Sequence, residues 1–462
     1  MKNDIILNSP KITKGILILS IPIIISNLLK LINELVDVYL IKNLDISQEL
    51  LRSLVSALTM TSPIISVFQA VLIAFCAVEL TLISQSIGEK NKEKTQKLLG
   101  ELFILSFVIG IILNFLLIIS CEPLLKLMKT TENPLIYKYG KEYIIITSFE
   151  MTSFLISRLY FASRYAVKDV ISPMILSICQ TILNIIITKI LIGNYLIVGV
   201  ALGTVVSSML VIPIYLYLLV KTKTEEVKLK IWFSIDDFKK IINLVIPASI
   251  SGIITALGFI LINRQVMSFE NYKIASIGTS SRIYNFIMIP FVSFQTLTTT
   301  FVSQNIGAKN YERVQKVILI IIKVALSLSM IVLSVSLIFK DYLINLFIKN
   351  DNEVISFSGY YLKYLLWTVP IMAYFYVLIG IFQGFKKMKL TLGLALVRLW
   401  ILRLPLLVLF TRYYNMQVKG VILSMFISNI GTVIVGTIFL LFYYVKTLKT
   451  RTKNINIIQG EI

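Results

Sequence analysis

Asn33 and Asp37 stand four residues apart in an apolar run, so in a helix they share one face, one turn apart. A carboxylate beside an amide oxygen suits a hard cation such as Na⁺, and equally a proton carried on the carboxyl. Asn184 and Thr188 repeat the four-residue spacing in a second run, and Thr204 stands about eight residues into the next. Glu150 adds a carboxylate from a fourth run. An acid within hydrocarbon costs several kcal/mol unless paired, hydrated or protonated, which makes each one a candidate for chemistry. Two more acids fall in this class. Glu34 follows Lys30 by one turn, where an intrahelical ion pair is expected. Glu79 lies near the inner end of its run, where a pair with Arg158 or Arg164 is expected.

All four acids belong to the first half of the chain. Between 241 and 445 the acids Glu270, Glu312, Asp341, Asp351 and Glu353 all fall between apolar runs. The second half instead carries Arg282, Lys323, Lys363, Arg398 and Arg403 within its runs. Arg398 and Arg403 flank Trp400. One reading has them line a cleft and bind an anion or a partner carboxylate. The plainer one has them brace helices or reach an interface.

These groups need elements to hold them, and composition names the solvent of those elements. The 462 residues are 57% hydrophobic, with a mean hydropathy of +0.85. Apolar runs lie near 14–41, 53–86, 98–120, 140–163, 171–192, 196–220, 241–263, 274–305, 315–339, 358–384, 390–411 and 418–445. About 20 residues of helix cross the ~30 Å hydrocarbon core, and a backbone in lipid must pair its own polar groups. The expectation is an all-α polytopic membrane protein with twelve spans. The division expected is a six-helix bundle over 1–221, a cytoplasmic linker over 222–240, a second bundle over 241–446 and a basic cytoplasmic tail over 447–462. Lys and Arg are concentrated in the loops that share a side with the N-terminus, which places both termini in the cytoplasm and the protein in the cell membrane. In that orientation Asp37 lies ~7 Å below the outer end of the first span, at 1.5 Å rise per residue. Asn184, Thr188, Thr204 and Glu150 fall at a similar depth.

The net charge of +21 is distributed over short loops and forms no basic face, so nucleic acid is not an expected partner. There is no histidine, and the three cysteines are far apart, so neither a resident metal nor a disulfide is expected. No nucleotide-binding motif is present. The chain is not expected to be an enzyme, nor to need a cofactor.

The chain also repeats itself. LISQSIGEKNKEKTQKLLG at 82–100 and FVSQNIGAKNYERVQKVIL at 301–319 agree at nine of nineteen positions, at an offset of 219 residues. A period near half the chain length means two homologous halves, as in many secondary transporters. Pro22 and Pro247 open the first span of each half in matching settings, IPIII and IPASI. A proline frees a carbonyl and permits a kink, and Pro22 is a candidate gating joint.

At these residues the sequence resembles the MATE family of multidrug and toxic compound extrusion antiporters. The first span, LSIPIIISNLLKLINELVDVYLI, resembles the family's opening helix. IGTSSRIYNFIMIP at 277–290, IFQGFKKMK at 381–389 and VRLWILRLP at 397–405 resemble later segments in the right order. The resemblance covers nearly the whole chain. It implies two six-helix bundles around a cleft that opens alternately to each side, and a monomer exporting small organic, cationic or lipophilic compounds in exchange for H⁺ or Na⁺. It also implies cation coupling at Asp37 and Asn184. Archetypal members carry Asn-x-x-x-Asp in the fifth helix, and here Thr188 replaces that Asp; Glu150 is the residue expected to compensate. With Thr188 in place of that Asp and no acid within the apolar runs of the second half, H⁺ is favoured over Na⁺ at Asp37. The alternative function is a flippase or exporter of a lipid-linked or amphipathic metabolite in the same superfamily.

Overall fold

A computed structural model describes residues 12–127, 133–222, 224–348 and 351–443. The expected basic tail at 447–462 lies outside the described residues. The first half holds α1 (Ile12–Lys42), α2 (Gln48–Gly88), α3 (Lys92–Leu127), α4 (Pro134–Ser148), α5 (Glu150–Ala166), α6 (Ile171–Tyr195) and α7 (Ile197–Val220). The second holds α8 (Ile235–Val266), α9 (Asn271–Gly307), α10 (Tyr311–Ile338), the short α11 (Lys340–Asn345), α12 (Asn352–Trp367) and α13 (Val369–Gly384). Its eleventh span is composite: α14 (Met388–Ala395), a π-helical stretch Leu396–Arg403, α15 (Leu404–Val408) and a second π-helical stretch Leu409–Tyr413. Helix α16 (Gln417–Tyr443) completes the order. Eleven helical stretches are long and apolar enough to cross a bilayer, α4 with α5 counted as one of them, and the bent pair α12 and α13 taken as one span makes the twelfth. The protein is an all-α, multi-span membrane protein.

The duplication is visible in the backbone. The chain turns through the left-handed region at Lys90 and Lys309, at Lys168 and Lys386, and at Leu196 and Asn415. The first and third pairs are separated by the 219 residues of the sequence repeat, the second by one fewer. None of these residues is glycine, so each half holds its turns by surrounding structure against the cost of a positive φ. The fourth span of each half is broken at one equivalent residue. Phe149 separates α4 from α5, and Thr368 separates α12 from α13, which bend by 46°. Pro370, in the first turn of α13, has no N–H to continue α12. At the other break Asn114 of α3 lies 3.1 Å from Thr152 Oγ1 and, with its amide nitrogen turned inward, donates to the Ser148 carbonyl. Gly110 permits this approach, because a Cβ there would stand 2.6 Å from the Thr152 Cα.

Contacts divide the chain into two units, Ile21–Ala256 and Met1–Ser20 with Leu257–Ile462. The divisions fall within α1 and α8 rather than at the linker. The one in α1 lies beside Pro22, through which the helix continues. The residues between α7 and α8 are packed on α3: Lys92 Nζ reaches Glu225 at 3.0 Å, and Lys97 sits 4.5 Å from the centroid of Trp232. The Lys92 ammonium holds the Glu225 carboxyl below its ordinary range. Helix α8 starts at Ile235, six residues before the apolar run. Its first turn is polar, and Asp236 and Asp237 suit the positive end of the helix dipole.

Candidate functional site

In the first unit an apolar cluster at one end of the helices sets the register of the site. Ile41 of α1, Leu54 and Ala57 of α2, Ile192 of α6, and Ile197 and Val200 of α7 are buried together, with Tyr139 and Tyr143 of α4 packed against them. Asp37 lies one helical turn from Ile41, Thr188 one turn from Ile192, and Thr204 one turn from Val200, all on the side away from that end. Hydrophobic residues thus place the polar groups at one depth.

Helices α6 and α7 are joined by a polar ladder. Asn184 Nδ2 donates to Thr204 Oγ1 at 3.2 Å, and Gln180 Nε2 donates to Ser208 Oγ at 3.0 Å. Tyr215 donates its hydroxyl hydrogen to Gln180 Oε1 at 3.4 Å. Thr188 forms the last rung by contact: a Cβ on Gly203 would run into its hydroxyl and stand 3.0 Å from its Cα. Asn184 Oδ1 and Thr188 Oγ1 are buried without a hydrogen-bond partner. Two acceptors of one helix, one turn apart, are therefore free to receive a cation or a donor. Gly203→Ala is expected to push α6 from α7 at this rung, at a cost of about 1–3 kcal/mol for overpacking. A lowered melting temperature of the detergent-solubilised protein measures it, and an unchanged one refutes the tight contact.

The acids form a second group. Glu150 and Glu34 both act on Asp37 through space, and all three act on Tyr143. Lys30 and Arg158 are the cations that act on Glu150. Asp37 Oδ1 and Asn33 Oδ1 are buried and accept no hydrogen bond. The break at Phe149 makes Glu150 the first residue of α5, where helix N–H groups are unpaired and the dipole favours negative charge. Glu150 lines a small recess, with room for about one water, together with Gln69, Thr147, Met151 and Phe154. Among the described residues no three acidic, His or Cys side chains converge as a metal cluster.

Some expected partners are different. Lys30 does not pair with Glu34; its ammonium lies 5.6 Å from the Phe154 ring centroid, within reach of Glu150, while Glu34 is exposed. Glu79 is fully buried, accepts a hydrogen bond from Ser106 Oγ at 2.7 Å, and leaves Oε2 without a partner. Arg158 acts on Glu79 from a distance, its guanidinium resting over Phe154 and Phe161. Arg164 turns away to the Leu218 carbonyl, at 3.0 Å, and to Asp169. In low dielectric an aromatic face or a carbonyl holds a cation without requiring a second charge to be desolvated. In the other unit Arg282 is exposed, and Arg398 and Arg403 are both buried.

The MatE family model matches this sequence twice, over residues 22–190 and 247–409. The chain belongs to the MATE family. The two matches begin at Pro22 and Pro247, the prolines paired by the repeat. Among MATE-like relatives, the "Probable multidrug resistance protein YoeA" of Bacillus subtilis is 21% identical over 90% of each chain. The "FAD transporter" of Shewanella oneidensis is 24% identical over 93% of this chain and 94% of its own. A solved MOP superfamily transporter from Pyrococcus furiosus, for which reverse polarity of the binding pocket suggests a different function, superposes with a TM-score of 0.88. It is 20% identical, over 97% of this chain and 99% of the other. The MATE fold has two bundles, and this MATE chain is a transporter, not an enzyme.

Several residues that meet the candidate groups escape a sequence reading. Gln180 had a signal, since it continues the four-residue spacing of Asn184 and Thr188. Ser208 stands in the same relation to Thr204. Tyr143, Gln69 and Ser106 had none, because a single tyrosine, glutamine or serine in an apolar run is ordinary.

Proposed function

We propose that this MATE chain is a secondary active exporter of organic cations in the cell membrane, working as a monomer with both termini in the cytoplasm and driven by exchange for H⁺. Asp37 is the coupling residue, and Asn33, Asn184, Thr188, Thr204 and Glu150 are the other residues assigned to cation coupling. The observation that carries this reading is the buried, unpartnered carboxylate oxygen of Asp37 under the electrostatic influence of Glu150 and Glu34. Three acids in mutual reach repel when all are charged, and a bound cation relieves that repulsion. Thr188 offers a neutral oxygen where a second carboxylate would favour Na⁺, so the proton is preferred.

In mechanism, a proton on Asp37 removes a charge from the face of α1 that also carries Asn33. The preferred packing of α1 beyond Pro22 changes, and substrate affinity changes with it. Because linkage is reciprocal, the substrate weakens proton binding by the same factor. Everted membrane vesicles test this. A lumen made acidic at equal Na⁺ is expected to drive ethidium inward, and a lumen rich in Na⁺ at equal pH is expected to drive none. Accumulation with Na⁺ alone overturns the choice of ion, and accumulation with neither gradient overturns antiport.

A further inference from the structure

The second unit holds positive charge in its interior, and among the described residues no acid pairs with it. Arg398 and Arg403 are each 8% exposed. They stand five residues apart in the π-helical stretch Leu396–Arg403, whose i→i+5 bonding sets such residues one above the other. Stretches of this kind recur at functional sites because they re-aim side chains.

The two arginines are differently placed. Arg403 donates from Nε to Ser428 Oγ at 2.9 Å and from Nη2 to Asn429 Oδ1 at 2.5 Å. Arg398 donates no hydrogen bond to any described residue, and its Nε is buried without a partner. Its guanidinium rests 4.6 Å from the centroid of Phe375. The titratable groups that act on it are Tyr376 of α13, Tyr284 of α9 and Arg403, and no carboxylate among the described residues forms an ion pair with it. Tyr284 shares a hydrogen bond of 2.9 Å with Thr368, the residue at the break of the tenth span.

A guanidinium buried at this depth with unused donors is costly, and an aromatic face offsets only part of that. Arg403 is held by amide and hydroxyl partners and explains itself as a brace. Arg398 has the same burial without the partners. Its fork matches a carboxylate through two parallel hydrogen bonds, and Phe375 and Tyr376 supply flat apolar surface beside it. We propose that Arg398 anchors an anion site in the second unit, which takes the carboxylate of a small aromatic organic acid. Arg403 strengthens the field there without touching the ligand. This site is separate from the cation-coupling residues, and its test does not depend on them.

Binding to the purified full chain in uncharged detergent, measured by calorimetry with 2-naphthoate and its neutral analogue 2-naphthamide, decides the matter. The acid is expected to bind about 10-fold more tightly than the amide. Arg398→Gln should bring the two to within about 2-fold. Arg398→Lys keeps the charge and loses the fork, so it should retain an intermediate preference. Equal affinities in the unaltered protein overturn the proposal, and so does a preference that survives Arg398→Gln. Added phosphatidylglycerol is expected to leave naphthoate binding as phosphatidylcholine does. Displacement by phosphatidylglycerol alone would assign the site to a lipid phosphate and overturn the small-acid assignment.

Discussion

Asp37→Asn is expected to reduce ethidium efflux to the level of cells lacking the protein, at unchanged abundance in the membrane. The substitution keeps size and shape and removes the charge, with its capacity to bind a proton or Na⁺. Folding should tolerate it because Asp37 Oδ1 accepts no hydrogen bond that asparagine would forfeit. Removing one of three mutually repelling acids is, if anything, stabilising. Loss of transport with normal abundance therefore separates coupling from structure. The measurement is efflux from ethidium-loaded cells beside immunodetection in membranes. Efflux at the unaltered rate removes Asp37 from the mechanism.

The second large effect is on stability. Arg403→Met is expected to destabilise the protein by about 3 kcal/mol, since it deletes two hydrogen bonds from a charged donor and leaves a buried amide oxygen unpaired. Ser428 and Asn429, the partners left behind, are 0% and 3% exposed, so water does not replace the guanidinium. Arg398→Gln is the contrast. It breaks no hydrogen bond and should cost less than about 1 kcal/mol, or stabilise, because an unpaired buried charge is itself unfavourable. Melting temperatures of the two variants in detergent check this. Equal losses would mean that the two arginines share one structural role.

The sequence by itself determined the solvent, the number of spans, the duplication and the unequal charge of the halves. Hydropathy and repeated motifs are local properties, and a run of about 20 apolar residues has one stable solution in a bilayer. Asp37, Asn184, Thr188 and Thr204 were legible as one polar layer because rise per residue converts position into depth. Partners were not legible. Lys30 lies over Phe154 and not beside Glu34; Asn184 bonds Thr204; Arg403 is bound while Arg398 is free. Each of these depends on how helices rotate and slide against one another. In a membrane the lipid-facing and core-facing sides of a helix are both apolar, so the pattern along the chain carries little record of rotation. The tertiary structure decided which polar groups meet, through close approaches such as Gly203 on Thr188. It also decided where the fourth span breaks, which gives Glu150 the start of a helix rather than its middle.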